Sequence, residues 1–449
     1  MVNVESWLTS KKTIEKSKRY YAHFDYRTDI SKCGGYISQP QNVATHGFYP
    51  FVHYVKDMSK YSKDKKGLKE KQRDICYAAH IDRCIFQYYN FLLNELYNNE
   101  CEKLGINDVA IAYRTNLRHQ SNVDFAQKAI RFIRNSGKCY IMIGDFTKFF
   151  DNLDHQYLKS QWCNLLQSNE LPADHYAVFK NITRFSYIEL TDLLKLHNLK
   201  NNNSGHRELN AKKRLLSPTD LREKKELITK NQDFGIPQGS PMSGVLANIY
   251  TLEIDKKLHN FVASKLNGMY MRYSDDFIII LPELDESTAI ENLKIINRMF
   301  DSVDYPGIEL QPNKTQYYCF SRNKLLNCGL KINEKADCSN RHLNFLGFTF
   351  DGKKVSLRAK TVSKYYQRMR RKSKTISRSK NYTKTGKHIS KRNLYERYSV
   401  RGAGSKKGNF LTYANRAKSK FGADELISLV IDRNMSKIRS FLKKNYINK

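Results

Sequence analysis

The stretch Met269-Tyr-Met-Arg-Tyr-Ser-Asp-Asp-Phe-Ile-Ile-Ile280 constrains this chain more than any other. Two apolar runs, Met269–Tyr273 and Phe277–Ile280, flank the polar break Ser274-Asp275-Asp276, which predicts two strands joined by a tight turn. Adjacent carboxylates at such a tip repel each other and resist burial. A hard divalent cation with oxygen ligands, Mg²⁺ in particular, relieves both costs. For this stretch alone, a solvated turn that happens to hold two Asp is the plainer alternative. The rest of the chain decides between them.

Lys and Arg total 78 against 44 Asp and Glu, a net charge of +34 over 449 residues. Such an excess predicts a polyanionic partner. No apolar run reaches the ~18 residues of a membrane span, and Met1–Lys12 is mixed and polar rather than a signal segment. Nucleic acid is therefore the expected partner, with no membrane, and the expected location is cytoplasmic. The nine cysteines form no C-x-x-C pair and read as free thiols, not as zinc ligands.

In chain order, residues 1–74 read as a basic, aromatic-rich extension packing on the main body, with Lys56–Lys71 as a charged surface segment. Helical spacing from Asp74 to Tyr97 predicts a long helix. Ala110–His119 reads as a short strand carrying Arg114 and Arg118, and Asn122–Arg134 as a helix. Cys139–Gly144 is a continuous apolar strand of the buried kind, running directly into Asp145, which then needs a partner such as a metal. Phe150 follows just beyond the strand end, where a nucleotide sugar could stack, while Asp151 and Asp154 suit helix-start positions.

Residues 155–230 read as helical, with a polar surface loop at Asn201–Gly205. From Gln232 to Asn248, two Gly and two Pro close together force a defined loop that opens a helix, a natural seat for a nucleotide or template backbone. Asn292–Phe300 is helical. Gly307–Thr315 gives a strand and a turn with Lys314, and Asn344–Gly352 an aromatic hairpin closed at Asp351-Gly352. Residues 353–449 hold 29 Lys and Arg and four acids, so they supply most of the charge excess. Tyrosines interleave with these cations, which suits phosphate neutralisation with stacking. Apolar spacing at Leu426, Ile427, Val430, Ile431, Ile438 and Leu442 predicts packed helices there and not a disordered tail.

Asp145, Asp275 and Asp276 lie some 130 residues apart and converge only if their strands are neighbours in one sheet. Carboxylates so placed suit a metal pair that activates a 3′-hydroxyl and neutralises pyrophosphate. The residues alone thus point to a two-metal nucleotidyltransferase acting on nucleic acid.

Five segments carry a resemblance: Asp145-x-x-x-x-Phe150-Asp151, Pro237-Gln-Gly-Ser-Pro241, Tyr273-Ser-Asp-Asp276, Gln311-Pro-Asn-Lys-Thr315 and Phe345-Leu-Gly-Phe348. In order and spacing they resemble the palm motifs of reverse transcriptases, over roughly residues 75–350. The resemblance implies an α+β right-hand polymerase, with an antiparallel palm sheet flanked by helices and a basic helical thumb. After the extension at 1–74, fingers would fall at 75–138. The palm would follow at 139–350, with an inserted fingers or helical segment around 160–232, and the thumb at 353–449.

Residue by residue, the resemblance implies that Asp145, Asp275 and Asp276 bind two Mg²⁺ ions (Mn²⁺ as the alternative) and act in catalysis with Lys314, a general acid for pyrophosphate. Arg114, Phe146, Phe150 and Gln238 would contact the dNTP, Phe150 as the bulky gate against a 2′-hydroxyl. Phe345, Leu346 and Gly347 would form the primer grip. Arg358, Lys360, Lys364, Arg368, Arg370, Arg371 and Lys372 would bind nucleic acid. Retron motifs and ribonuclease H or integrase segments are not seen, so the chain looks most like the defence-associated, abortive-infection-type enzymes of bacteria. That subgroup implies RNA-directed DNA synthesis on a dedicated structured non-coding RNA, with a DNA product, dNTPs, and a homo-oligomer or accessory defence protein among its partners. An untemplated or protein-primed DNA polymerase and a catalytically idle RNA-binding scaffold are the alternatives. An RNA-dependent RNA polymerase should not carry the bulky Phe150.

Overall fold

The computed structural model describes residues 3–62, 67–231, 233–282, 285–334, 336, 338–379, 382, 386–389, 391–405, 407–423 and 425–443. Among them, twelve strands form in chain order: β1 Phe51–Ser62, β2 Gly67–Tyr77, β3 Lys138–Asp145, β4 Ser186–Glu189, β5 Thr229–Lys230, β6 Met269–Tyr273, β7 Asp276–Pro282, β8 Gln316–Ser321, β9 Lys324–Asn327, β10 Leu343–Phe345, β11 Phe348–Phe350 and β12 Val355–Leu357. They make a four-stranded sheet β2-β1-β4-β5, a five-stranded sheet β6-β7-β3-β8-β9 and a three-stranded sheet β10-β11-β12. Every pairing is antiparallel except that of β1 with β4. The fold is α+β.

The chain divides into two units. One comprises Met1–Asn116, Phe146–His259 and Asn297–Leu310, and the other Leu117–Asp145, Asn260–Ile296 and Gln311–Lys449.

The first unit holds the four-stranded sheet. Its core joins Ala22 and Phe24 from the N-terminal segment to Val52 of β1, Ile188 of β4, and Leu193, Leu194 and Leu209. The segment 1–74 is therefore woven into this unit, and β1 pairs with β4 across 136 residues of sequence, from Phe51↔Tyr187 to His53↔Glu189. The run expected as a charged surface segment, Lys56–Lys71, falls in the β1–β2 hairpin, registered from Val52↔Tyr77 to Ser62↔Gly67, and Lys56 and Asp57 at its start are exposed. Its tip, residues 63–66, lies outside the described residues. Because β2 runs to Tyr77, the helix expected from Asp74 starts at His80 and continues to Lys103.

Two further expectations change in this unit. Ala110 is a lone bridge residue and residues 111–119 form turns, bends and irregular chain, not a strand. Part of the loop expected at Asn201–Gly205 starts a helix, Asn203–Ala211, whose N-cap Asn202 accepts from the Ser204 and Gly205 amides.

In the second unit β3 lies between β7 and β8, so both its edges are paired. Cys139–Gly144 are all buried, which accounts for the unbroken apolar run. Gly144 sits opposite Phe277, and a Cβ there would come within 2.4 Å of the Phe277 ring. The helix Asn122–Asn135 starts at a Ser121/Asp124 capping box, buries Val123, Phe125, Ala126, Ala129, Ile130 and Ile133, and packs against β7.

The aromatic hairpin closes at Leu346-Gly347, not at Asp351-Gly352; the latter pair turns the chain from β11 into β12. After β12, the helix Ala359–Arg378 buries Tyr365, Met369, Ser373 and Ile376 on one stripe and packs against Asn434–Lys443. Ile427 and Ile438 are buried as the apolar spacing predicts, whereas Leu426 is 43% exposed.

Candidate active site

The carboxylates come together through strand register. Asp145, the last residue of β3, pairs directly with Asp276, the first of β7. Tyr273↔Asp276 then closes the β6–β7 hairpin, leaving Ser274-Asp275 as a two-residue turn. Ser274 takes φ +62°, a left-handed conformation that two-residue hairpin turns require. Beneath the turn, the Arg272 guanidinium is fully buried and donates through Nη1 to the Ser274 carbonyl at 2.8 Å. Sequence reasoning passed over Arg272. The available signal was a cation inside a strand otherwise made of apolar and aromatic residues, since a buried charge is tolerated only where it has a partner.

Burial first, then the Asp145 charge, raise the Asp275 carboxyl above its ordinary value, against Lys314. Burial, with the Asp275 and Asp145 charges after it, pushes Asp276 up to about 6, opposed by Lys314 and Arg358. Asp276 is exposed, and solvent screens the charges that act on it. The Lys314 ammonium hydrogen-bonds and ion-pairs with Asp145 Oδ2. Its backbone is set by the turn in which the Lys314 and Thr315 amides donate to the Gln311 carbonyl, while the Gln311 amide donates to the Asp145 carbonyl. The strand expected before this turn is reduced to a single bridge, Phe146↔Leu310.

Among the described residues no three His, Cys, Asp or Glu side chains converge as ligands of one ion, and Asp145 faces Lys314 instead. The donor chemistry nevertheless fits hard divalent cations. Three carboxylates gather at one strand end, mutual charge and burial disfavour ionisation of two of them, and an ammonium already neutralises the third.

A second cluster of expected residues lies in the first unit. Phe150 belongs to a 3-10 turn, Phe149–Asp151, and its ring lies tilted against that of Phe149, 5.5 Å between centroids. Its carbonyl accepts from the Ile236 amide at 2.9 Å. Next to it, Asp151 Oδ1 accepts from Gln238 Nε2 at 3.0 Å, so Asp151 ties down Gln238. Asp154 does cap a helix, accepting from the Tyr157 amide at 2.7 Å. The Gly/Pro loop is held from both sides. A Cβ on Gly235 (φ +81°) would lie 2.7 Å from the Asp151 carbonyl, and one on Gly239 (φ +123°) 2.4 Å from the Cys76 carbonyl. These close approaches explain why the loop needs glycine at both places. Gln232, where the loop was expected to begin, lies outside the described residues.

Three expected contacts sit differently. Phe146 is only 2% exposed and packs against Phe149 and Phe300, so its ring is core, not a nucleotide surface. Arg114 turns inward: it donates to Asn98 Oδ1, to Asn107 Oδ1 at 2.8 Å and to the Ala110 carbonyl at 3.2 Å, and lies over the Tyr97 ring. Its guanidinium thus braces its own loop. Phe345 is buried, leaving Leu346 and Gly347 at the turn tip.

The tip itself is strained. Leu346 takes φ +46°, rare for a bulky residue, and Gly347 +92°. Asn122 Nδ2 donates to the Leu346 carbonyl and the Arg358 amide to that of Gly347, both at 2.9 Å. Lys360, Lys364, Arg368, Arg370 and Arg371 are exposed on the following helix, and Lys372 is half-buried.

An α+β chain whose paired antiparallel strands deliver three acids to one end has the features of a polymerase catalytic domain. Residues 63–350 match the family model described as "Reverse transcriptase (RNA-dependent DNA polymerase)", and the chain belongs to that family. No curated protein matches its sequence. Among solved structures it is similar to the apo telomerase of Candida tropicalis truncated from the C-terminal domain (14% identity, TM-score 0.41, covering 74% of this chain and 61% of that one). It is also similar to the apo telomerase of the same organism (14%, 0.39, 88% and 66%). A third is Candida albicans telomerase in complex with a TWJ fragment of telomeric RNA (13%, 0.40, 93% and 61%). The chain thus spans 61–66% of the length of these structures. No helix among the described residues is long and apolar enough to cross a membrane.

Proposed function

We propose that this chain is an RNA-directed DNA polymerase that adds dNTPs to a primer 3′-hydroxyl. The observation that carries the reading is the register Asp145↔Asp276, with Asp275 in the adjoining turn, inside a domain that matches the reverse transcriptase family. Asp145, Asp275 and Asp276 would hold two Mg²⁺ ions, or Mn²⁺, since all offer hard oxygen donors. When bound, the metal pair supplies Lewis acidity, favouring an ionised primer hydroxyl and neutralising the leaving pyrophosphate. Lys314, hydrogen-bonded to Asp145, is the residue that would hand a proton to pyrophosphate. Phe150 is the proposed gate against a 2′-hydroxyl, and Gln238, oriented by Asp151, the proposed nucleotide contact. Leu346 and Gly347 would grip the primer, and the exposed cations of Ala359–Arg378 would neutralise phosphates.

Within this reading, residues 75–138 act as fingers, 139–350 as palm and 353–449 as thumb. The chain works in the cytoplasm of a bacterium, in antiphage defence, copying a dedicated structured non-coding RNA, as a homo-oligomer or with an accessory defence protein. The test is to isolate the protein from its native host and sequence the RNA bound to it and any DNA attached. One enriched structured RNA, with complementary DNA made only when the three Asp are intact, is expected. Simple-repeat DNA, or DNA covalently joined to protein, would replace templated copying with untemplated or protein-primed synthesis. RNA without DNA at any dNTP supply would leave an RNA-binding scaffold.

A further inference from the structure

The C-terminal helices enclose a groove of about 830 Å³ that shares no residue with the carboxylate end. One face of the helix Ala359–Arg378 lines it, with Lys364 and Arg368 flanking Tyr365, and the opposite wall carries Arg397, Arg401 and Lys407. Five cations thus face one concavity. The acid among its lining residues, Glu396, is already paired with Arg392, whose Nε donates to it at 2.6 Å. Arg401 rests over the Tyr395 ring, whereas Lys364, Arg368, Arg397 and Lys407 have no partner among the described residues. Lys364 and Arg368 are moreover spaced i, i+4 on one helix, an arrangement that destabilises an isolated helix. Like charges facing a shared concavity also focus a positive field, which an anionic ligand relieves.

The floor of the groove is aromatic. Tyr365 lies 4.5 Å from Phe410 and 5.8 Å from Tyr398, centroid to centroid. The Tyr365 hydroxyl donates to the Tyr398 carbonyl at 2.8 Å, and Asn434 Nδ2 donates to both oxygens, so the buried Tyr365 is a fixed base beneath the half-buried rings of Tyr398 and Phe410. An acidic peptide or a lipid headgroup would satisfy the cations but leave these rings unused. A nucleotide uses both, its phosphate on the cations and its base on the half-buried Tyr398 or Phe410 ring.

We propose that this groove is a separate binding site for an anionic nucleotide unit, supplied either by an RNA strand or by a free nucleoside triphosphate. It divides the cations of one helix between two tasks. Lys364 and Arg368 serve the groove, while Arg370 and Arg371, equally exposed, do not line it. The proposal rests on the polymerase reading only in taking a nucleotide as the natural polyanion.

The test acylates lysines of the full wild-type chain without metal or dNTPs, in the presence of oligouridine, ATP or neither, and locates the modifications by peptide mass spectrometry. Lys364 and Lys407 should react several-fold more slowly with ligand present, and Lys391, exposed but outside the groove, at its former rate. Protection by oligouridine alone identifies a strand site, and protection by ATP as well identifies a mononucleotide site. Equal reactivity under all three conditions overturns the proposal. In parallel, Arg368→Gln with Arg397→Gln should lower the dependence of log affinity on log salt by about 1.4, two single-strand contacts at roughly 0.7 each. An unchanged slope in this soundly folded variant also overturns it. RNA-templated incorporation by the wild type separates the two claims. Protected lysines without incorporation keep the groove and remove the polymerase, and incorporation with unprotected lysines does the reverse.

Discussion

The carboxylate end of the five-stranded sheet and the Gly/Pro loop at Gln238 are built by opposite means. At the first, backbone ladders do the placing: β3 pairs with β7, and Asp145 and Asp276, 131 apart in sequence, are fixed opposite each other. At the second, no ladder is available, and backbone carbonyls of Asp151 and Cys76 crowd two positive-φ glycines while one backbone bond from the Cys76 amide and one side-chain bond to Asp151 hold Gln238. Register tolerates many side chains provided the inward face stays apolar. A wedged loop tolerates almost none at its contact points. The surroundings differ too. The first unit buries titratable groups such as His23, Asp25, His80 and Asp82, whereas β3 and β7 are apolar up to their acidic ends.

Acid should separate these regions most strongly. Burial lowers His23 to about 4, so between pH 6.5 and 4 the unfolded state binds the extra proton and the first unit loses stability as pH falls. The full effect of such a shift is about 3 kcal/mol. Asp276 has the opposite sign: its raised pKa means that the metal-free folded state binds a proton more readily than the unfolded one, and stability rises as pH drops below about 6. Hydrogen exchange at pH 7 and pH 5 should show segments around His23 losing protection while β7 does not. Parallel loss in both would erase the distinction.

Replacing the buried cation comes next. Arg272→Leu removes the donor to the Ser274 carbonyl and should slow dNTP incorporation about 10–100-fold, the scale of losing a group that orients a metal ligand, with RNA affinity kept. Rates matching the wild type would show that register alone positions the turn.

Glycine substitutions sharpen the contrast in stability. Gly144→Ala pushes a methyl into the Phe277 ring and should cost about 1–2 kcal/mol in denaturant unfolding, because a side chain can shift. Gly235→Ala meets the Asp151 carbonyl at positive φ and should cost at least as much, because the obstacle is backbone. A milder effect at Gly235 would contradict the wedged-loop account. Phe150→Ala should give the smallest change in free energy, relaxing discrimination against ribonucleotides on the order of tenfold in competition assays. Unchanged dNTP preference would remove the gate role.

Legibility in the sequence followed the same division. The β6–β7 hairpin and the buried β3 could be read because their apolar runs are bounded by polar residues and carry β-branched or aromatic side chains. The β1–β2 hairpin could not, because Lys56–Lys71 shows charge where alternation would be sought, and the second partner of its first residues, Phe51–His53, is β4, far along the chain. Misplacing the start of the helix at Asp74 followed from that omission. The turn at Leu346-Gly347 was overlooked because Leu346 is a poor candidate for positive φ, while Asp351-Gly352 is the stronger local signal. Phe146 and Arg114 were misplaced for a common reason. Spacing gives neighbours along the chain, but whether a side chain turns toward a ligand or into its own loop depends on packing that no local pattern encodes.

The most direct test of the account is RNA-templated dNTP incorporation by Asp275→Ala/Asp276→Ala beside the wild type, with RNA affinity measured on the same samples. The account predicts incorporation reduced on the order of 10³-fold or more, with RNA affinity nearly unchanged. Incorporation near the wild-type rate would contradict the assignment of the β6–β7 turn as the catalytic centre.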